Sequence, residues 1–386
     1  MELRAMGKTG VKVSPLGFGV MRLPLKNGGK ADNSVGIDRV DVDTSIAMIR
    51  DAIDGGVNYF DTAYNYLSGS SEVILGRALK DGYRERVNVA SKSPAWLYKT
   101  SEDFDRFLGI QLERLDMDYL DFYLLHSLNG GSWKKSQRNG AVESMVRAKA
   151  DGRVRHIGFS FHDDLELFEE ILNAADWDFC QIQLNYFDRD YQAGLKGMRM
   201  AAERGMGVVV MEPLRGGLLV DLPREAQATF DASATGRSNV EWALDWLWNL
   251  PEVSCVLSGM STPEQLAQNL SYMDRARPGM LSADELAVLD QAKADLDARV
   301  AVPCTGCNYC VDMCPNKIAI PYNFRAYNMG TLYDNMDLAR EFYAEEVPNY
   351  GRNASYCVSC GACEEICPQH IAISEWLPKV DELLGA

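Results

Sequence analysis

Residues 57–61 read VNYFD, residues 87–92 read VNVASK and residues 120–126 read LDFYLLH. Each is a short, mostly apolar run closed by a chemically able side chain: Asp61, Lys92 and His126. Parallel strands covered on both faces need such runs, because their side chains are buried whichever way they point. The same pattern extends to Leu16–Val20, Val154–Phe159, Phe179–Leu184, Val208–Met211 and Cys255–Leu257. Segments of helical period stand between them, at 43–55, 70–79, 101–115, 165–174, 194–205, 240–250 and 263–273. Eight strands, each followed by a helix, predict an α/β chain closed into a (β/α)8 TIM-type barrel. An open doubly wound sheet is the alternative, but its usual G-x-G-x-x-G after the first strand is missing. Residues 3–15, with Gly7 and Gly10, read as a hairpin that plugs one barrel end. Residues 23–42 and 215–239 are long insertions after strands, where lids are built.

The composition fits a folded chain, with 47% hydrophobic and 24% charged residues over 386 positions. Lys and Arg number 39 against 55 Asp and Glu, a net charge of −16. Such a surface repels phosphate backbones and anionic lipid, so neither nucleic acid nor a membrane is expected as a partner. Residues 1–10 lack the apolar core of a signal peptide, and no apolar run approaches the roughly 20 residues of a membrane span. A soluble, cytoplasmic protein is expected.

Eight of the ten cysteines lie between Cys304 and Cys367. Cys304, Cys307, Cys310 and Cys314 precede Pro315; Cys357, Cys360, Cys363 and Cys367 precede Pro368. This is C-x2-C-x2-C-x3-C-P written twice. Three cysteines at steps of three can present thiolates to three corners of an iron–sulfur cube. In two-cluster ferredoxins the fourth ligand comes from the other motif. The expected wiring is Cys304, Cys307, Cys310 and Cys367 on one [4Fe–4S] cluster, with Cys357, Cys360, Cys363 and Cys314 on a second. Zinc competes, but it usually pairs C-x2-4-C units across a longer spacer without the proline. Disulfides belong to small secreted domains. Cys180 and Cys255, alone in apolar runs, read as core residues. The composition shifts after Arg299, giving two expected domains, 1–298 and 299–386; the spacer at 328–346 reads as helical and amphipathic, packing on the barrel rather than forming a linker.

Chemistry in such barrels sits at the carboxyl ends of the strands. Asp61, Lys92 and His126 would converge there, with Tyr66 in the loop that follows Asp61. A lysine ending an apolar strand needs a counter-ion, and Asp61 next door can supply one.

Over residues 1–298 the chain resembles the aldo–keto reductase family, in LGFGVMRL, FDTAYNY with SEVILGRAL, ASK, DYLDFYLLH, IGFS, QIQLNYFDRD, MEPLRGGLL and STPEQLAQN. The tail resembles the two-cluster ferredoxins, an α+β iron–sulfur fold carried by a subset of that family. The resemblance implies a tetrad of Asp61, Tyr66, Lys92 and His126. It implies NAD(P)H-dependent interconversion of a small-molecule carbonyl and its alcohol. Tyr66 would be the general acid/base, its pKa lowered by Lys92; Asp61 would hold Lys92 charged, and His126 would orient the substrate oxygen. Ser160 and Gln181 would hold the carboxamide of NAD(H) or NADP(H). Leu214, Gly216 and Gly217 would lie over the pyrophosphate, and Ser258, Gly259, Met260, Gln265 and Asn269 at the adenosine end. Gly259 and Gln265 stand where many members clamp a 2′-phosphate with Lys and Arg, which removes the basis for an NADP(H) preference and opens the site to NADH. Met211 replaces the usual aromatic beside the nicotinamide, and Phe161 an asparagine. Trp96, Tyr98 and Trp133 offer aromatic walls for a substrate pocket.

A hydride carries two electrons together, whereas an iron–sulfur cluster moves one. Three readings of the clusters follow. They staple a nicotinamide enzyme, they exchange electrons with a ferredoxin or flavoprotein, or the whole chain is a non-catalytic electron carrier or regulator.

Overall fold

The structure, a computed structural model, describes residues 1–29, 31–306 and 308–385. Strands β1 (Arg4–Ala5) and β2 (Lys12–Val13) form an antiparallel hairpin. Eight parallel strands follow: β3 (Leu16–Gly19), β4 (Tyr59–Asp61), β5 (Asn88–Ser93), β6 (Leu120–Leu128), β7 (Val154–Phe161), β8 (Phe179–Gln183), β9 (Gly207–Met211) and β10 (Cys255–Ser258). Each pairs with the next and β10 pairs with β3, so the sheet closes on itself. The expected barrel is present, and every expected strand belongs to it.

Met6 and Val13 of the hairpin region pack with Tyr59, Phe122, Phe179, Val209 and Cys255. That apolar set contains residues near the starts of the strands, so the hairpin closes the end opposite the strand tips. The approach is close: at Gly7, φ +53°, a Cβ would meet the backbone of Gly205 and Gly207 at about 2.4 Å, which only glycine avoids. Cys180 and Cys255 are buried core thiols; burial pushes the Cys180 thiol up to about 12.

The first helices are α1 (Val42–Asp54), α2 (Ser70–Ala78), α3 (Asp103–Leu115), α4 (Gly130–Arg138) and α5 (Ala141–Ala150). Next come α6 (Leu165–Leu172), α7 (Gly194–Glu203), α8 (Arg224–Asp231), α9 (Asn239–Asn249), α10 (Pro263–Met273) and α11 (Ala283–Asp297). Helix α1 shows the logic: Asp41 accepts the Thr44 amide at 3.1 Å as N-cap, and Met48, Ile49, Ala52 and Ile53 form the buried stripe.

The chain divides into two compact units, residues 1–216 with 240–282, and residues 217–239 with 283–386. The boundary expected at 298/299 therefore falls inside the second unit. There α8 packs on α11, and Arg299 joins Glu225 at 3.1 Å to the Leu332 carbonyl at 3.1 Å. The insertion at 215–239, expected as a lid, thus contributes residues 217–239 to the second unit.

The remainder of that unit is helical: α12 (Tyr309–Met313), α13 (Ile320–Tyr333), α14 (Met336–Glu341) and α15 (Ile373–Leu384). Its β pairing among the described residues is one parallel bridge, Ile318 with Arg352. Phe324, Ala339, Tyr343, Val347, Leu377 and Val380 build a core that takes in Cys310, Cys314 and Cys363. The spacer at 328–346, expected to be helical and to pack on the barrel, is helical but places Ala339 and Tyr343 in the core of this unit.

Among the described residues no helix is long and apolar enough to cross a membrane.

Candidate active site and cluster hollows

Asp61 is the last residue of β4 and Lys92 lies near the end of β5; both are buried. The register sets Asp61 against Ala90, two residues before Lys92. The lysine side chain therefore runs past the strand tips, where its Nζ donates to Asp61 Oδ1 at 2.5 Å, the Thr62 carbonyl at 2.9 Å and Tyr66 Oη at 3.1 Å. Three acceptors satisfy all three ammonium protons. Tyr66 is half-buried, and its ring stands edge-on to His126 at 5.7 Å.

A break in β6 aims His126. The β6–β7 register shifts between Leu125 and Leu128, Ser127 takes φ +53°, and its amide donates to Ser160 Oγ at 2.6 Å. A bulge of this kind turns one side chain out of the alternating pattern. His126 Nδ1 is buried without a partner, and the Trp96 ring lies 5.2 Å away. The structure therefore brings Asp61, Tyr66, Lys92, His126 and Trp96 to one strand-tip cluster.

The electrostatics correct one expectation. Burial holds the Tyr66 phenol above its ordinary value; the Lys92 ammonium pulls it back without cancelling the shift. For Lys92, burial acts against the charge, but Asp61 and Tyr66 outweigh it and the ammonium is held above its ordinary range. His126 is pushed well below the usual imidazole value, first by burial and then by the positive charge of Lys92. It is a neutral imidazole at pH 7.

Among the other expected contacts, Ser160, next to last in β7, accepts the Ser127 amide through its Oγ, while Gln181 on β8 is buried, its Nε2 3.6 Å from Met211 Sδ and its Oε1 without a partner. Ser258 ends β10 and accepts from Asn269 Nδ2 at 2.8 Å. Met260 is buried; Gln265 is exposed, with its Oε1 accepting the Ser261 amide at 2.8 Å. Gly259 lies against Arg22: a Cβ there would stand 3.0 Å from Arg22 Cγ. Leu214 precedes a turn through Gly216, φ +70°, and Gly217, φ +104°. The unpartnered polar atoms of His126 and Gln181 fit a polar ligand such as a carboxamide.

Two expected wall residues are elsewhere. Tyr98 is buried, bonded to Ser93 and stacked on Phe107 at 5.9 Å. Trp133 is buried with Nε1 donating to Glu170 at 2.6 Å. Both are packing residues, and of the three aromatics only Trp96 meets His126. Arg22 was missed by sequence reasoning; its place directly after the β3 tip was the available signal.

The second unit holds two hollows of similar size, about 330 and 320 Å³. Cys314, Cys357, Cys360 and Cys363 line the first. Cys304, Cys310 and Cys367 line the second, while Cys307 lies outside the described residues. Each hollow thus takes a cysteine from the other motif, the grouping expected of exchanged fourth ligands.

The backbone repeats as the sequence does. Gly306 and Ser359, each just before a motif's second cysteine, have φ +76° and +51°. Asn308 and Gly361, just after it, have +62° and +75°, and Lys317 and His370 have +52° and +51°. Left-handed residues beside the cysteines turn the chain sharply where the motifs run. An Ile-Ala-Ile segment then opens a helix in each half, at Ile320 and at Ile373. Cysteines gather at each hollow, the soft donors that an iron–sulfur cube takes, while the described residues contain no group of three His, Cys, Asp or Glu arranged to hold a single metal ion.

Residues 15–294 match the aldo/keto reductase family, and residues 303–372 match a 4Fe-4S dicluster domain. The L-galactose dehydrogenase of Arabidopsis thaliana is 28% identical over 291 residues, covering 70% of this chain and 88% of that protein. The NADH-specific methylglyoxal reductase of Escherichia coli is 26% identical over 324 residues, covering 71% and 94%. Among solved structures, an aldo-keto reductase of Bacillus halodurans in its holo form matches with a TM-score of 0.63 and 25% identity, over 76% of this chain and 96% of that one. With its closed barrel and matching motifs, the chain belongs to the aldo/keto reductase family and is an oxidoreductase that carries a C-terminal 4Fe-4S dicluster domain.

Proposed function

We propose that the protein reduces a small-molecule carbonyl to an alcohol, or runs the reverse reaction, with a nicotinamide cofactor. The observation that carries this reading is Lys92 Nζ, 3.1 Å from Tyr66 Oη and 2.5 Å from Asp61 Oδ1. A phenol beside a paired ammonium can give a proton to a forming alkoxide and take one from an alcohol. When bound, the nicotinamide supplies or accepts hydride at the carbonyl carbon. Tyr66 holds the proton at Oη, Lys92 stabilises the phenolate left behind, and Asp61 keeps Lys92 charged and aimed. Neutral His126 hydrogen-bonds the substrate oxygen, and Trp96 forms one wall of the pocket.

Ser160 and Gln181 hold the carboxamide; Leu214, Gly216 and Gly217 border the pyrophosphate; Ser258, Gly259, Met260, Gln265 and Asn269 form the adenosine end. Asn269 acts from behind, through Ser258. With Gly259 and Gln265 in place of a basic clamp, the site favours NADH over NADPH. The Escherichia coli relative, named NADH-specific, supports that preference, and its methylglyoxal is a first substrate to try.

The functional division is residues 1–298 for reduction and 299–386 for two [4Fe–4S] clusters. Cys304, Cys307, Cys310 and Cys367 hold one cluster; Cys357, Cys360, Cys363 and Cys314 hold the other. A second reading, electron exchange with a ferredoxin or flavoprotein, is favoured by Cys360, which is exposed beside Val358 at 66% and Tyr356 at 51%. The acidic composition supports a cytoplasmic protein without nucleic-acid or membrane partners.

The test is anaerobic purification, a visible spectrum and NADH oxidation with aldehydes. Carbonyl reduction that Tyr66→Phe abolishes, with the brown chromophore retained, is expected. Full turnover by Tyr66→Phe overturns the reading. Loss of NADH-dependent turnover in a folded Cys360→Ser protein would instead favour the electron-exchange reading.

A further inference from the structure

Behind the Lys92–Tyr66 pair lies one connected set of polar residues that the mechanism above does not use. Glu72, in the first turn of α2, is fully buried. Its Oε1 accepts from Ser91 Oγ at 2.7 Å and from Gln111 Nε2 at 2.6 Å. Its Oε2 accepts from Arg114 Nη1 at 3.1 Å. Gln111 Nε2 also lies 3.1 Å from the Lys92 carbonyl, and Gln111 Oε1 accepts from the Tyr123 hydroxyl at 2.6 Å. Arg114 Nη1 donates in addition to the Tyr64 carbonyl at 2.9 Å, and its guanidinium lies 4.6 Å from the Tyr64 ring centre.

Gln111 and Arg114 are three residues apart on α3 and so share a face. One end of the set grips the backbone of Lys92 itself. The other grips the backbone two residues before Tyr66. Room for this is built in: at Gly69, φ +88°, a Cβ would stand 2.8 Å from the Arg114 guanidinium. A buried carboxylate is costly unless its partners are fixed, so Glu72 holds both donors in place.

A set that merely fastened a helix to the barrel could contact any part of the wall. This one ends on the two segments that carry the reacting groups, 26 residues apart in sequence. We propose that Glu72, Gln111 and Arg114 are positioning residues that fix the separation of the Lys92 ammonium from the Tyr66 hydroxyl. The inference rests on the reading that Tyr66 moves the proton. Coulomb attraction weakens with distance, so a longer contact leaves the phenol titrating higher and transferring its proton more slowly.

The test compares the full-length, cluster-loaded enzyme with its Arg114→Gln, Arg114→Lys and Gln111→Met variants. The Tyr66 phenol is titrated in each by the ultraviolet difference from the matching Tyr66→Phe protein. Rates are taken with NADH and an aldehyde that the wild type reduces. For Arg114→Gln the expected result is a kcat lower by up to about a hundredfold, an unchanged dissociation constant for NADH and a phenol titration moved to higher pH. Arg114→Lys, which keeps a charge beside Glu72, should recover part of both. An unmoved titration, a wild-type kcat, or failure of all three variants to fold assigns the set a structural role and overturns the proposal; Gln111→Met decides if Arg114→Gln alone fails to fold. Full turnover by Tyr66→Phe would sink the underlying reading, whereas an inactive Tyr66→Phe with an unmoved titration in Arg114→Gln sinks only the positioning role.

Discussion

Lys92 Nζ and Asp61 Oδ1 stand 2.5 Å apart with side-chain exposures of 0% and 3%. Water reaches neither, so each charge depends on the other. Asp61→Asn should destabilise the fold by about 3–5 kcal/mol, the usual cost of leaving one buried charge unpaired. Lys92 can escape part of that cost by losing its proton. Equilibrium urea unfolding of the barrel checks the figure, and a loss below about 1 kcal/mol would show that the pair is not sealed from water.

His126 makes stability depend on pH. Its native pKa lies well below the ordinary imidazole value, with burial the larger cause and Lys92 the next. Below about pH 6.5 the unfolded chain binds a proton at this position that the native state refuses. Stability is therefore present above that pH and lost as pH falls through the window beneath it. His126→Gln should flatten this decline in unfolding free energy between pH 7 and pH 5.

Cofactor choice should respond at Gln265, which is exposed at the start of α10. Gln265→Arg offers a 2′-phosphate a planar fork of donors, and a fall in the KM for NADPH of about tenfold is expected with little change for NADH. Gly259→Arg is a poorer choice, because its first carbon meets Arg22. Steady-state kinetics with both nucleotides decide the matter.

Ligand exchange between the cysteine motifs can be read from paired substitutions. Cys314→Ser and Cys357→Ser should damage the same cluster, so the double variant loses no more iron than either alone. Cys314→Ser with Cys304→Ser should lose iron from both. Iron analysis and low-temperature electron paramagnetic resonance check the pattern, and the opposite pairing would assign Cys314 to its own motif.

Much of this architecture was legible because burial leaves a strong mark on sequence. A strand covered on both sides must be apolar, so Asp61, Lys92 and His126 stood out where the runs ended. The cysteine duplication was plain for a similar reason: few other chemistries need that spacing. Less visible was anything decided by packing between distant segments. Tyr98 and Trp133 look like pocket aromatics until Ser93 and Glu170 are seen to hold them. The bulge before Leu128 depends on Ser160, a neighbour 33 residues away from Ser127. The net titration of Tyr66 could not be judged by naming Lys92 alone, since the larger influence is how deeply the phenol sits. Likewise α11 carries no sequence signal that α8 will be its neighbour.

The alternation of cysteines between the two hollows carries a consequence for biogenesis. Cys314 follows Cys304 and Cys310 of one hollow yet lines the other, and Cys367 follows Cys357, Cys360 and Cys363 yet lines the hollow of Cys304 and Cys310. With the clusters held as proposed, neither motif would complete a cage by itself, and each centre would wait on both segments of chain. Under the proposed wiring, oxidation of one thiol would cost the single centre that the thiol serves, whereas a chain clipped between the motifs would leave each half one donor short.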